Sequence, residues 1–306
     1  MNLRQRILVW SLMASHVCIA SGGFIFVKVA LHEFNPLALG FWRLSIGLVA
    51  LVAFSAALGK MPRIDRSDWG RIALLAFLAV PINQVGYIIG MNYTVPTHAA
   101  ILYGSTAVFA ILFSTLLGHE KLRRSRIVAI CMSVAGVVIV VSGSRTVIAG
   151  SENFAGDLLV GLGMIAWAAY TALAKPIVLK YGALRAMTVC LIIGTFMGLP
   201  FLIYSAIAQD YSVVTWRGWG GAAYAAVLLT CVAYAIWFTL LKKIDPSQVA
   251  VVTSGQPVVT TALSTWILGE VISANLVIGG LLVISGLVIM NAPELYHAVL
   301  RRRRPK

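Results

Sequence analysis

Residues 106–141 read TAVFAILFSTLLGHEKLRRSRIVAICMSVAGVVIVV, and residues 256–291 read QPVVTTALSTWILGEVISANLVIGGLLVISGLVIMN. The two stretches align without a gap at an offset of 150 positions. Each contains an apolar run, a short break with one glutamate, and a second apolar run with a late glycine. A repeat at a fixed offset indicates an architecture built from duplicated units. The identical pairs are Val108/Val258, Ser114/Ser264, Thr115/Thr265, Glu120/Glu270, Gly136/Gly286, Val138/Val288 and Ile139/Ile289.

The composition excludes a soluble globular protein. Hydrophobic residues make up 60% of the chain and charged residues only 11%, whereas a soluble domain is about half apolar and a quarter charged. Apolar runs of roughly 20 residues, enough to cross a bilayer, recur along nearly the whole chain. The sequence therefore predicts an all-α integral membrane protein in a lipid bilayer. The cysteines lie in apolar runs without a CxxC pair, which predicts core residues and neither disulfides nor a metal site: Cys18, Cys131, Cys190 and Cys231.

The apolar runs and the polar breaks between them predict ten transmembrane helices. We expect a first five-helix repeat at residues 1–143, a linker at 144–156, a second repeat at 157–293, and a basic tail at 294–306. The predicted helices span approximately Ile7–Lys28, Pro36–Gly59, Trp69–Met91, His98–Gly118, Arg126–Gly143, Asp157–Leu179, Leu184–Ala208, Gly218–Leu241, Ser247–Leu268 and Ala274–Asn291.

The distribution of basic residues predicts the orientation. With ten helices and a cytoplasmic N-terminus, 20 of the 24 lysines and arginines lie on the cytoplasmic side, as the positive-inside rule expects. This bias explains the net charge of +14 without nucleic acid. Both termini are expected in the cytoplasm, with the helices in a plasma membrane such as a bacterial inner membrane. Because each half has five helices, the second half is inverted, a construction typical of secondary transporters with a midplane site and alternating access.

The chain resembles the drug/metabolite transporter superfamily, in its ten-helix EamA type. The resemblance rests on the two breaks at Leu117-Gly118-His119-Glu120 and Leu268-Gly269-Glu270, and on Lys28, the Pro36…Arg43 segment and Pro257. It implies export or exchange of small metabolites, often amino acids, through a cavity lined by helices 1, 3, 4, 6, 8 and 9. One departure is Ala107, which occupies the position equivalent to Pro257, so the two halves are expected to bend differently.

Polar and aromatic residues on five helices are candidates for binding a small-molecule substrate. Amides facing lipid are costly, and Trp and Tyr rings offer both a face for a cation and a polar tip. Each aromatic residue is individually more common as a packing residue than as a ligand contact. No cofactor is implied, and no phosphate-binding loop is present. The candidates are Asn83, Gln84, Tyr87, Tyr103, Thr106, Trp167, Tyr170, Tyr234, Trp237, Thr253 and Gln256.

Four ionisable residues at helix ends are candidates for gating or coupling. The predicted topology places Lys28 and Glu270 at the outer face, and Lys175 and Glu120 at the inner face. We expect two symmetry-related ion pairs, one closing each side. The alternative is that each glutamate caps the next helix or anchors it at the interface while nearby basic residues reach toward water.

Transport is the leading functional prediction. An integral-membrane enzyme would need a clustered catalytic set, and no GxSxG or HExxH motif occurs; a non-transporting structural subunit would not need an inverted repeat with buried amides. An exchanger of nucleotide sugars or sugar phosphates would need several cations at mid-depth, so we rank it lower. Proton coupling, and whether the protein is a monomer or a homodimer, stay open at this stage.

Overall fold

The computed structural model describes residues 3–57, 64–118, 124–147, 152–244 and 255–302, and every regular element in these ranges is a helix. The predicted all-α architecture is confirmed. We number the helices α1 (Leu3–Leu31), α2 (Pro36–Ala57), α3 (Arg66–Tyr93), α4 (Pro96–Leu116), α5 (Arg124–Val147), α6 (Glu152–Tyr181), α7 (Ala183–Ala208), α8 (Trp216–Lys243), α9 (Gln256–Leu268) and α10 (Ala274–Arg302).

Helices α1 to α8 are each long and apolar enough to cross a membrane. In α10 the apolar part within the described residues is Ala274–Gly286, and α9 is described from Gln256 onward. Lipid supplies no hydrogen-bond partners, so only a backbone that satisfies itself, as a helix does, can span the bilayer core. The ten predicted helices are therefore present in the described part of the chain.

The two predicted breaks after α4 and α9 are built in the same way. Gly118 follows α4 with φ of 72°, and Gly269 follows α9 with φ of 67°. This left-handed conformation ends a helix and is strained for any residue with a Cβ. The glycine of each Leu-Gly pair thus explains why the helix stops just before the glutamate.

Both α3 and α8 change to π-helical geometry halfway along. The π-helical segments are Leu78–Val85 in α3 and Tyr224–Ala233 in α8, at equivalent positions of the two halves. π-helical turns inside α-helices are frequently found at functional sites. These segments carry Asn83 and Thr230.

The helices of one half pack against those of the other around a pseudo-twofold axis. Helix α2 packs on α7, α4 on α9, and α5 on α10, so each helix meets its own equivalent. Helix α1 packs on α8 as α6 packs on α3. This pattern is that of two inverted five-helix repeats, as the sequence predicted.

Glycines confirm this symmetry at atomic level. A Cβ on Gly136 of α5 would lie 2.6 Å from the carbonyl oxygen of Gly279, and one on Gly286 of α10 would lie 2.9 Å from that of Ala129. Gly136 and Gly286 are 150 positions apart, and so are Ala129 and Gly279, so the two contacts are symmetry equivalents. Small residues let backbones approach this closely, which is the usual way for membrane helices to associate.

Three details differ from the sequence-based expectation. Helix α5 extends to Val147 and α6 begins at Glu152, so much of the predicted linker is helical. Helix α10 continues to Arg302 and includes most of the predicted tail. The predicted start of helix 9 at Ser247 lies outside the described residues.

The expected difference in bending stays a prediction, because residues 245–254 before α9 lie outside the described residues. Ser105 interrupts α4 with φ −77° and ψ −5°, and its equivalent Gly255 precedes α9 with φ −76° and ψ −20°. Pro257 packs against the opposite half. A Cβ placed on Gly104 would lie 2.8 Å from the Cγ of Pro257. The proline therefore serves the contact between α9 and α4.

Candidate functional site

A cavity lies between the two halves near the middle of the helices. Its volume open to a water-sized sphere is about 70 Å³. His16, Asn83 and Trp167 lie near the centres of α1, α3 and α6. The lining residues come from α1, α2, α3 and α4 of the first half and from α6, α8 and α9 of the second. All six helices implied by the resemblance contribute, and α2 is an addition.

Six of the predicted binding residues line this cavity: Asn83, Tyr87, Tyr103, Trp167, Tyr234 and Gln256. The structure thus brings together candidates that are up to 173 positions apart in the chain. Their placement makes them available to a ligand, and their role in binding stays a prediction.

Four other candidates do not line the cavity. Tyr170 and Trp237 pack behind Trp167, with ring centroids 5.2 and 5.5 Å from its ring. The hydroxyl of Thr106 donates to the carbonyl oxygen of Tyr103 at 2.6 Å. Gln84 is buried, and its side-chain amide has no hydrogen-bond partner among the described residues. The fifth, Thr253, lies outside the described residues.

Asn83 positions one wall of the cavity. Its amide nitrogen donates to the hydroxyl of Tyr103 at 2.7 Å and to the carbonyl oxygen of Gly163 at 2.8 Å. The ring of Tyr103 meets those of Tyr87 and Phe24 edge to face, at centroid distances of 5.6 and 5.8 Å. Edge-to-face contact stabilises such clusters and leaves ring faces free for other groups.

The opposite wall is a second aromatic group. The rings of Trp167 and Tyr234 are 5.0 Å apart and tilted by 30°. His16 lies at its edge, 5.2 Å from the ring of Trp237, and its Nδ1 is 3.2 Å from the carbonyl oxygen of Ala233. Because a carbonyl oxygen only accepts, Nδ1 carries the hydrogen. His16 also contributes to the lining of the cavity.

Arg43 is a lining residue that the sequence did not place at the site. It is only 3% exposed, and it is the one charged residue among the described residues that line the cavity, His16 aside. Its position in the first part of an apolar helix was a signal in the sequence, since charges at membrane depth are costly and mostly functional. Only the structure shows which way it faces.

The predicted outer ion pair does not form. Lys28 donates from Nζ to the carbonyl oxygens of Met91, Asn92 and Thr94, at 2.9, 3.2 and 2.6 Å. Glu270 is close enough for its charge to act on Lys28, yet its carboxylate oxygens are buried without a hydrogen-bond partner among the described residues. The physical reason is that α3 ends beside Lys28, and the last carbonyl groups of a helix need donors.

The predicted inner pair falls largely outside the structural description. Lys175 is half-buried on α6, and Glu120 lies outside the described residues. The role of both residues in gating or coupling therefore stays a prediction.

Thr94 joins Lys28 to a buried acid that the sequence analysis overlooked. Asp157 of α6 is fully buried. It accepts a short hydrogen bond from the hydroxyl of Thr94, and its other oxygen is 2.9 Å from Nδ1 of His98. Its place at the start of an apolar run suggested only a helix start, but the chain between α3 and α4 folds over it.

The inverted repeats and the mid-depth cavity between them define a class of protein, the membrane transporters. The chain belongs to the EamA-like transporter family, whose model matches residues 8–142 and again residues 154–292. The family and its relatives are named as transporters and not as enzymes.

Relatives match the chain over nearly its whole length. An "uncharacterized transporter" of Archaeoglobus fulgidus is 29% identical over 285 residues, covering 92% of this chain and 97% of the relative. A "probable amino-acid metabolite efflux pump" of Salmonella typhimurium is 24% identical over 278 residues, with 87% and 89% covered. A solved crystal structure with 17% identity covers 95% of this chain and 98% of its own, with a TM-score of 0.67. That likeness shows the fold alone.

Proposed function

We propose that this transporter exports or exchanges amino acids or related amphipathic metabolites by alternating access around the cavity. The observation that carries the proposal is the lining itself, which combines one guanidinium, two amides and several aromatic rings from both halves at mid-depth. A small molecule with charged and apolar parts fits such a lining, because fixed polar groups orient a ligand while apolar surface supplies affinity. The name of the Salmonella typhimurium relative supports amino-acid compounds as the first class to test.

The symmetry of the fold supports alternating access. Secondary transporters with inverted repeats rock one half against the other around a site at the midplane. Here the halves meet along equivalent helix pairs, and the cavity is built from both. In this proposal the chain lies in a plasma membrane with both termini in the cytoplasm. A reporter that is active only in the cytoplasm tests that orientation. It should be active when fused to the C-terminus and inactive when fused after α1.

Uptake of a labelled amino-acid panel into proteoliposomes tests the proposed function. Gln256→Ala removes a buried amide that lines the cavity, and Gln84→Ala removes an equally buried amide that does not. We expect saturable uptake by the native chain, a loss in Gln256→Ala, and near-native uptake in Gln84→Ala. Equal uptake by both variants would contradict the proposed location of the site.

A pH gradient across the same vesicles tests coupling. An uptake rate that responds to the gradient would support proton exchange, and the groups to substitute next would be Glu270, Glu120, Asp157 and the histidines. An unchanged rate would support facilitated transport or exchange of metabolites.

A further inference from the structure

Arg43 is a buried cation whose hydrogen-bonding capacity is not fully used. Its Nη1 is buried and has no acceptor among the described residues. Over the same part of the chain, no carboxylate forms an ion pair with it. Taking a charged group out of water costs several kcal/mol unless a partner compensates. A guanidinium that faces a cavity in this condition is a place where a ligand can supply the missing partner.

Two contacts hold the guanidinium at the cavity wall. Nε donates to the hydroxyl oxygen of Thr230 at 3.0 Å, and the hydroxyl hydrogen of Thr230 goes to the carbonyl oxygen of Ala225 at 2.8 Å. On the cavity side, Cζ lies 5.7 Å from the centre of the Tyr87 ring, within the range of cation–π attraction. The side chain is therefore positioned before any ligand arrives.

The backbone is also shaped for this position. Gly47 lies one turn after Arg43 on the same face of α2, and its Cβ position is 3.1 Å from the carbonyl oxygen of Ala226. Because there is no side chain at Gly47, α2 approaches the π-helical segment of α8 closely enough for Arg43 to reach Thr230. The guanidinium thus spans the boundary between the two halves.

We propose that Arg43 binds the carboxylate of the transported metabolite, which makes this a site for organic monocarboxylates and zwitterions. The proposal deepens the proposed function and rests on it. A guanidinium offers parallel N–H donors whose spacing matches a carboxylate. The neutral amides of Asn83 and Gln256 and the aromatic walls are left for the rest of the molecule.

The charge of the cavity lining favours carboxylates over phosphate esters and organic cations. A phosphate ester carries up to two negative charges, and one guanidinium neutralises only one of them. An organic cation gains nothing from Arg43 and is repelled by it. Carboxylates therefore match the lining in charge as well as in geometry.

The test compares matched ligands that differ only in the anionic group. Dissociation constants are measured from thermal-shift titrations of the purified full-length protein, since a ligand at concentration L that binds only the folded state stabilises it by RT ln(1 + L/Kd) and so raises the unfolding temperature. The probes are L-phenylalanine, L-phenylalaninamide, 3-phenylpropanoate, 3-phenylpropanamide and phenyl phosphate. The variants are Arg43→Gln and Arg43→Lys, and the matched control is Arg217→Gln, which removes the same group from an exposed site.

We expect the native chain to bind each carboxylate about 10- to 100-fold more tightly than its amide, as one hydrogen-bonded charge pair predicts. Arg43→Gln should bind acid and amide equally, Arg43→Lys should fall between, and Arg217→Gln should match the native chain. Equal affinity of the native chain for acid and amide would overturn the proposal even if Arg43→Gln does not fold. Tighter binding of phenyl phosphate than of the carboxylates, or no carboxylate binding at all, would overturn it too.

Transport of the same labelled probes in proteoliposomes separates this inference from the proposed function. If carboxylates bind selectively through Arg43 but are not transported, the role of Arg43 in binding is supported and the transport of carboxylates is contradicted. If acid and amide are transported at equal rates, transport is supported and the role of Arg43 in binding the carboxylate is contradicted.

Discussion

Glu33 and Lys180 occupy equivalent positions of the two halves, 147 residues apart, and each joins one half to the other. Glu33 follows α1 and accepts hydrogen bonds from the hydroxyl and the backbone N–H of Thr215, at 2.8 and 2.7 Å. Lys180 near the end of α6 donates to Asp68 at the start of α3, at 2.6 Å. Asp68 and Thr215 are also 147 residues apart. The contact between α1 and α8 is thus held at one end of the bundle by an acidic side chain. The equivalent contact between α6 and α3 is held at the other end by a basic side chain.

The links made by Glu33 and Lys180 are expected to set the balance between outward-open and inward-open conformations. In a cysteine-free background with Ala20→Cys in the cavity, labelling by a membrane-impermeant maleimide reports external access. Glu33→Gln weakens the link at the end predicted to be external, so labelling should rise a few-fold, the scale expected for exposed polar links. Lys180→Gln weakens the opposite link, so labelling should fall.

The control for this pair is Lys243→Gln, which removes an exposed lysine that makes no equivalent link to any residue that the structure describes. Its labelling should equal that of the background protein. Shifts of the same sign in Glu33→Gln and Lys180→Gln would contradict opposed roles for the two links.

Glu33 also predicts a pH dependence of stability. The hydrogen bonds from the side chain and backbone of Thr215 lower the pKa of Glu33, with further help from the Gly218 N–H and the charge of Arg217. A lowered pKa in the folded state means that the stabilisation is complete at neutral pH and is lost as pH falls through that pKa. The loss therefore occurs below the ordinary glutamate pKa of about 4.3.

Unfolding temperatures of the native chain and Glu33→Gln, measured from pH 7 down to pH 3, check this prediction. The native chain should be more stable at pH 7, and the difference should shrink as pH falls toward pH 3. Thr215→Ala should behave like Glu33→Gln, and the double variant should add little. A difference of the same size at pH 7 and pH 3 would show that the ionised carboxylate is not the cause.

The contact between α5 and α10 should not tolerate a side chain at Gly136. A Cβ there would lie 2.6 Å from the carbonyl oxygen of Gly279, and backbone atoms cannot move aside cheaply. Gly136→Ala should therefore lower stability by about 1–3 kcal/mol, the usual cost of overpacking. Gly161→Ala is the control, because its Cβ meets nothing within 4 Å. Its unfolding temperature should match or exceed that of the native chain, and equal losses in both variants would contradict the packing argument.

Tyr234 should contribute an aromatic face to the binding site. Tyr234→Leu keeps most of the volume but removes the ring that lies 5.0 Å from Trp167. We expect the KM for aromatic substrates to rise about 3- to 10-fold, in line with the energy of one aromatic pair. The control is Tyr204→Leu, at a side chain that is 79% exposed. If both variants keep the native KM, the aromatic wall does not contact the substrate.

The fold was predictable because its signals are periodic and local. Apolar runs of bilayer length, the shared glutamate and late glycine, and the Leu-Gly breaks all lie in consecutive sequence. Ten helices are found in the ranges that the structure describes, and Gly118 and Gly269 lie in the same left-handed turn. Inversion followed from the odd number of helices in each half.

The candidate site was predictable only in part, because the facing of a side chain depends on how helices cross. Trp167 and Tyr170 share a helical stripe, yet only Trp167 reaches the cavity. Arg43 reaches it because Gly47 lets α2 approach α8, which no spacing within α2 reveals. Lys28 was paired with Glu270 from charge and predicted membrane side, whereas the structure gives it three carbonyl oxygens at the end of α3.

Solute counterflow tests the central claim, alternating access through the cavity, most directly. Proteoliposomes loaded with unlabelled L-phenylalanine are diluted into a trace of the labelled compound, with Gln256→Ala as the matched variant. An alternating-access carrier predicts transient accumulation of label above its equilibrium level, which the variant should lack. Label that only equilibrates, or that does not enter vesicles containing folded native protein, would contradict alternating-access transport of this substrate.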